Sequence, residues 1–223
     1  MSNQFEEGQI LLINKPVNWT SFDVVKKLRY ALKVKKIGHA GTLDPLATGL
    51  LIIGTGKFTK KLNDLQGLDK TYEGIIEIGK TTPSYDLETE FDSESDFSHL
   101  IESDFIRVKE ELTGALSQIP PAHSAIKVGG ERAYKKARKN QEVKMEPRAV
   151  NIHSFDMNIE NVPEIRFDVR VSKGTYIRSL ARDFGAKLGV GGYLKKLIRT
   201  SVGEYQLSDA HELDEFINQY GSN

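Results

Sequence analysis

The clearest periodic signal in the chain is the alternation at 165–171, where Ile165, Phe167, Val169 and Val171 fall on one face of a predicted strand. A second alternation at 70–79 puts Tyr72, Gly74, Ile76 and Ile78 on one face, with Thr71, Glu73 and Glu77 largely on the other. Leu50-Leu51-Ile52-Ile53 is apolar without a break and has the length of a buried strand, as does 10–13. Helical spacing appears in Phe22, Val25, Leu28 and Leu32. It follows Thr20-Ser21-Phe22-Asp23, in which a hydroxyl precedes a carboxylate by three residues, as at a helix N-cap. A second helical face carries Ile177, Leu180, Ala181, Phe184 and Leu188 and is ended by Gly189, Gly191 and Gly192. Shorter helices are predicted over 58–65, over 103–112 with Ser103 as cap, over 131–139 after a Gly129-Gly130 turn, and over 208–219. From 37 to 48 there is no period, and Gly38, Gly41 and Pro45 mark a loop that leads to Gly49. Strands and helices mix without a βαβ rhythm, which predicts an α+β fold with a mixed, largely antiparallel central sheet flanked by helices and loops. No repeat or linker interrupts residues 1–223, so one domain is expected.

Composition narrows the chemistry. Hydrophobic residues make up 39% and charged residues 28% of 223, the balance of a folded soluble chain. There are no cysteines, which excludes a disulfide framework, a thiolate nucleophile and a Cys-ligated zinc site. No apolar run approaches the ~20 residues that span a bilayer, and the first nine residues lack the regions of a signal peptide. A cytoplasmic protein without membrane association is the expectation. The five histidines show no metal-like pairing, so no metal is expected. Neither glycine-rich stretch, 49–56 or 189–192, has the spacing of a phosphate or dinucleotide loop.

The formal charge is zero, yet its distribution is uneven. Lys26, Lys27, Arg29, Lys33, Lys35 and Lys36 occur with no acid in 24–43. Residues 170–199 hold Arg170, Lys173, Arg178, Arg182, Lys187, Lys195, Lys196 and Arg199 against Asp183, and 127–148 is also basic. The acids Asp86, Glu88, Glu90, Asp92, Glu94, Asp96, Glu102 and Asp104 are gathered in one stretch that reads as an exposed loop. Taken singly, each basic segment reads as a solvated face; together they allow a phosphate-binding surface.

The segment Gly38-His39-Ala40-Gly41-Thr42-Leu43-Asp44-Pro45-Leu46-Ala47-Thr48-Gly49 places one carboxylate in a glycine-bounded loop immediately before a proline. Proline confines the preceding residue to extended geometry, which holds a side chain in a set direction. Asp-Pro is also a common turn initiator, and pattern alone favours that plainer reading.

This loop resembles the signature of the TruB family of pseudouridine synthases. Four further elements resemble the same family in the same order: Asn14-Lys15-Pro16 with Thr20-Ser21, Lys70-Thr71-Tyr72, Gln118-Ile119-Pro120-Pro121 with Ser124-Ala125-Ile126-Lys127, and Ser172-Lys173-Gly174-Thr175-Tyr176-Ile177-Arg178. The resemblance covers nearly the whole of 14–200. It implies isomerisation of the T-loop uridine at tRNA position 55 without cofactor or metal, with Asp44 as covalent catalyst. It further implies that Tyr72 stacks on the target base and that Arg178 pairs with Asp44. Leu197 would line the uracil pocket and His39 would pack against the displaced tRNA loop. Substrate contacts are implied at Lys15, Gly41, Thr42, Leu43 and Tyr176. By pattern alone Tyr72 and Leu197 read as core residues and Arg178 as a surface charge. A C-terminal PUA domain, present in many family members, is not expected here, and a monomer is. Rival readings are a relative guided by a small RNA, a catalytically silent RNA-binding protein on the same fold, and a two-carboxylate hydrolase; no second acid accompanies Asp44 in its loop to support the last.

Overall fold

The computed structural model describes residues 4–221 apart from 125, 138, 140 and 142. In chain order the principal elements are β1 (Ile10–Lys15), α1 (Ser21–Ala31), β2 (Ile37–Ala40), β3 (Thr48–Thr55), β4 (Lys70–Ile78), α2 (Glu102–Glu111), β5 (Gly114–Gln118), β6 (Arg148–Asn161), β7 (Glu164–Val171), α3 (Ile177–Leu188), β8 (Gly192–Val202), β9 (His211–Glu212) and α4 (Leu213–Tyr220). The chain forms two compact units, one from the chain up to Glu73 together with everything from Leu197 onward, the other from Gly74–Lys196.

In the first unit the strand order is β9-β1-β3-β8-β4, with β2 added to β3. β1 and β3 are antiparallel, Leu11 facing Ile53 and Ile13 facing Leu51. β3 runs parallel to β8, pairing Ile198 with Thr48 and Arg199 with Gly49. Leu51 and Ile53 enter a core with Val24, Val25 and Leu28 of α1 and Phe216 of α4, whereas Leu50 and Ile52 enter a second cluster with Leu62 and Val202. β3 is thus buried on both faces, which is why its apolar run is unbroken.

In the second unit the order is β8-β4-β7-β6-β5. Ile165, Phe167, Val169 and Val171 of β7 are all buried. The predicted face of α3 is buried as well, its Phe184 ring lying edge-on to Phe155 at 5.9 Å, and Phe155 edge-on to Phe167 at 6.2 Å.

Several sequence expectations need correction. Residues 37–40 form a strand, since Ile37–Ala40 pairs with Thr55–Ile52 despite its irregular pattern. Phe22 faces outward, at 59% exposure; the buried positions of α1 are Ser21, Val24, Val25 and Leu28. Ser103 is not the cap of α2. That helix starts after Ile101, whose N–H is bound by the Asp104 carboxylate at 3.1 Å. The segment 58–65 is a 3-10 turn, Gly56–Lys61, followed by a short α-helix, Leu62–Gln66. Within 131–139 only Ala133–Ala137 is helical among the described residues, and residue 138, like residue 125 of the central motif, lies outside them. The segment 208–219 resolves into a 3-10 turn, the short β9 and α4. The acidic stretch is exposed at Glu88, Glu90 and Asp92, but its first member, Asp86, is buried at 3%.

Gly185 of α3 packs so tightly on the backbone of Gly191 and Gly192 that a Cβ there would overlap main-chain atoms. Backbone cannot rotate aside as a side chain can. Gly185→Ala is expected to destabilise the fold by about 2 kcal/mol or more, lowering the thermal midpoint by about 4 °C or more. An unchanged melting curve would show that the helix can move to accept a methyl group.

Candidate active site

Asp44 stands in a loop that is gripped by its main chain. The Ser21 hydroxyl accepts the Leu43 N–H at 2.9 Å and donates to the Leu43 carbonyl at 3.2 Å. Ser21 is aimed there because the Thr20 cap, which binds the Asp23 N–H at 3.1 Å, fixes the first turn of α1. Lys15 ends β1 with its side chain wholly buried. Its ammonium donates to the carbonyls of Pro16 at 2.8 Å, Trp19 at 2.6 Å and Pro45 at 3.2 Å. The Pro45 carbonyl also accepts the N–H of Asn18 at 2.8 Å. From β8, the buried guanidinium of Arg199 donates to the carbonyls of Leu50 at 2.8 Å and Gly41 at 2.9 Å. Asn14 accepts the Gly49 N–H at 3.2 Å. Gly49 has a φ of 104°, and a Cβ there would fall on the backbone of Arg199, so only glycine permits this approach of β3 to β8. The turn reading of Asp44-Pro45 holds too: Ala47 N–H donates to the Asp44 carbonyl at 3.1 Å.

Two cations therefore lie beneath a loop that carries one carboxylate. Burial pulls the Lys15 ammonium from 10.5 down to about 8; the charge of Asp44 opposes that shift and the charge of Arg199 adds to it. His39, at the start of the loop, is lowered by burial and then by Arg199. Its Nε2 lies 3.0 Å from the Thr42 hydroxyl, and its ring meets that of Phe22 edge-on at 5.3 Å.

The structure brings Lys15, His39, Gly41, Thr42 and Leu43 together around Asp44. Gly41 and Leu43 are held by their backbones, Leu43 is buried, and Thr42 is exposed. Lys15 is placed as a support of this loop, with no exposed surface. Tyr72 on β4 and Leu197 on β8 are buried members of the same unit, at 8% and 7% exposure.

The second unit holds Arg178 and Tyr176. Arg178, in the first turn of α3, is 3% exposed, so its expected default as a surface charge is corrected. It donates to the carbonyls of Ser84 at 3.1 Å and His123 at 2.9 Å, and its Nε lies 3.6 Å from the Asp86 carboxylate. Tyr176 caps α3, its N–H and carbonyl both bound by Gln118 at 2.8 Å and 3.1 Å. Much of the basic segment 170–199 is committed within the protein, by burial or by ion pairing. Arg178 and Arg199 are buried, Lys195 pairs with Glu77 and Glu164, Lys187 with Glu111, and Arg182 with Asp183. Sequence reasoning missed Asp86 and Arg199, which it counted into an acidic loop and a basic surface. The sole local hint at Asp86 is its place at the very start of the acidic run.

The TruB family pseudouridylate synthase N-terminal domain matches residues 29–177, and the tRNA pseudouridylate synthase B C-terminal domain matches residues 178–222. The tRNA pseudouridine synthase B of Flavobacterium johnsoniae is 49% identical over 96% of each chain. That of Chlorobaculum tepidum is 47% identical over 96% of this chain and 91% of its own. A chain in the crystal structure of a Cbf5-Nop10-Gar1 complex superposes with a TM-score of 0.74 at 26% identity, covering 97% of this chain and 55% of that one. This chain thus spans about half the length of that solved protein. The fold is the α+β pseudouridine synthase fold, and the chain belongs to the TruB family of pseudouridylate synthases. It is an isomerase.

The depressed Lys15 has a consequence for stability. Between pH 8 and 10.5 the unfolded chain holds more protons on this residue than the folded one, so Lys15 makes the fold gain stability as pH rises through that window. Lys15→Met removes the titrating group. Denaturant unfolding at both ends of the window is expected to show a smaller pH increment in the variant, and equal increments would mean that Lys15 titrates normally.

Proposed function

We propose that this chain isomerises uridine 55 in the T loop of tRNA to pseudouridine, with Asp44 as the covalent catalyst. The observation that carries this reading is the clamping of the loop by its backbone at Gly41, Leu43, Pro45, Gly49 and Leu50, which fixes the point from which the Asp44 side chain projects. Family membership and the tRNA pseudouridine synthase B relatives, matched over 96% of the chain, support it.

The reaction breaks the C1′–N1 bond, forms a C1′–C5 bond, removes the proton from C5 and returns one to N1. No electrons are gained or lost. A covalent link from the carboxylate to the uridine holds the substrate while the base turns over. A uridine inside a folded RNA loop is reached by flipping it out, and Tyr72 offers an aromatic face that rewards the flipped base by ~1–3 kcal/mol. Leu197 lines the uracil pocket. Arg178 is the guanidinium that orients Asp44 and keeps it charged; Asp86 and the carbonyls of Ser84 and His123 hold Arg178 in turn. His39, with Thr42 beside it, packs against the displaced T loop. The downward shift of its pKa favours the neutral ring, suited to stacking. Gly41, Leu43 and Tyr176 shape the backbone around the substrate, and Lys15 is a positioning residue acting through Pro45.

Mapping pseudouridine in tRNA from cells that lack this protein is the direct test: loss of the modification at position 55 alone is expected, and its persistence in the absence of another synthase overturns the reading. Asp44→Asn keeps size and removes the carboxylate, so product formation is expected to vanish while tRNA binding stays within about a few-fold; substantial turnover by that variant is incompatible with covalent catalysis. Arg178→Lys keeps charge but loses the planar fork, and kcat is expected to fall by about 10-fold or more. A near-normal rate would reduce Arg178 to a packing role.

A further inference from the structure

Helix α1 turns Val24, Val25 and Leu28 into the core, and its outer face departs from an ordinary solvated one in two ways. It exposes large aromatic rings, Phe22 at 59% and Tyr30 at 70%, with Lys26 one turn from each on the same side. It also carries Lys26, Lys27 and Arg29 with no acid after Asp23, and Lys33, Lys35 and Lys36 follow just beyond the helix. The carboxylate of the helix itself, Asp23, is already committed to the cap, accepting the Thr20 N–H at 2.9 Å and the Thr20 hydroxyl at 2.5 Å. Asn18, Trp19, Asp23, Lys26, Lys27 and Tyr30 line an open groove of about 340 Å³ along this face. At its other margin Phe22 touches His39, so the face is continuous with the loop that carries Asp44.

We propose that the outer face of α1 is a binding track for the substrate RNA strand that flanks the target uridine, with a base stacked on Tyr30 beside Trp19 and with Lys26 and Lys27 on neighbouring phosphates. Aromatic rings interleaved with lysines are the make-up of a single-strand platform: every base has a face to stack, and each phosphate neutralised releases counterions. The groove joins apolar ring surface from Trp19 and Tyr30 to the charges of Lys26 and Lys27, and a nucleic-acid strand offers a match to both, a base face for the rings and phosphates for the lysines. The inference rests on the proposed function only for the identity of the RNA.

Trp19 is the sole tryptophan of the chain, so its fluorescence reports on the groove. A T-arm hairpin of tRNA is expected to quench it. Tyr30→Ala is expected to raise the hairpin Kd by about 5-fold or more. The double variant Lys26→Ala, Lys27→Ala is expected to flatten the dependence of log Kd on log salt by about 1.4–1.8, two contacts' worth. Both losses should appear in KM rather than kcat. All three side chains are solvent-facing, and unfolding curves confirm that the variants fold. Unchanged affinity and slope overturn the track, as does a loss confined to kcat. Pseudouridine formation by the unaltered chain is measured on the same hairpin. A hairpin bound but not modified contradicts the proposed function while leaving the track tested by binding alone.

Discussion

Two buried cations bearing on the carbonyls of one loop are the constraint on which the placement of Asp44 depends. A lysine and an arginine removed from water are costly unless acceptors replace the lost hydration. Here main-chain carbonyls supply them: Pro16, Trp19 and Pro45 for Lys15, Gly41 and Leu50 for Arg199. Each partner satisfies the other, because a loop without regular pairing has carbonyls that would otherwise be orphaned on burial. Since the grip is on the backbone, the origin of the Asp44 side chain is held. For the catalyst proposed above, preorganisation of this kind means that the group does not have to be ordered again at each turnover.

The second unit solves the same problem with the opposite balance. Arg178 is enclosed by two carbonyls and one carboxylate, so its charge is oriented by neighbours that cannot themselves titrate away, apart from Asp86. Ser84 and Asp86 flank Tyr85, whose φ of 63° is the left-handed geometry seldom taken by a bulky residue. The ring of Tyr85 lies under the Arg182 guanidinium at 4.8 Å, which helps to hold that unusual backbone in place.

What was legible in the sequence was burial expressed as period. β7 alternates because one face is buried, β3 is apolar throughout because both are, and α3 carries a stripe because one side meets Phe155. The reading failed where an aromatic ring serves the surface, as at Phe22, and where a strand contains Gly38 and His39 and pairs without forming an apolar stripe. It failed most at buried charge. Whether an arginine lies inside is decided by its acceptors, and these are remote: Arg199 reaches Gly41 across 158 positions, and Arg178 reaches Ser84 across 94. No window of residues contains both halves of such a pair. The Asp44 motif was legible as a family signature, whereas its means of support was not: Ser21 and Lys15 were noted as motif letters, and only the structure assigns them hydrogen bonds.

β8 acts as a ruler. Leu197 and Arg199 lie two residues apart and so point to the same side of the strand, and both are buried. One is proposed above for the base-binding pocket and the other fastens the loop that bears the carboxylate. Because side chains along a strand change sides at every step, an insertion or deletion of a single residue upstream of 197 that shifted the pairing would turn both away at once. Register, more than composition, is therefore what this strand must conserve: Leu197 can vary among apolar residues more readily than the pairing of the strand can slip by one position.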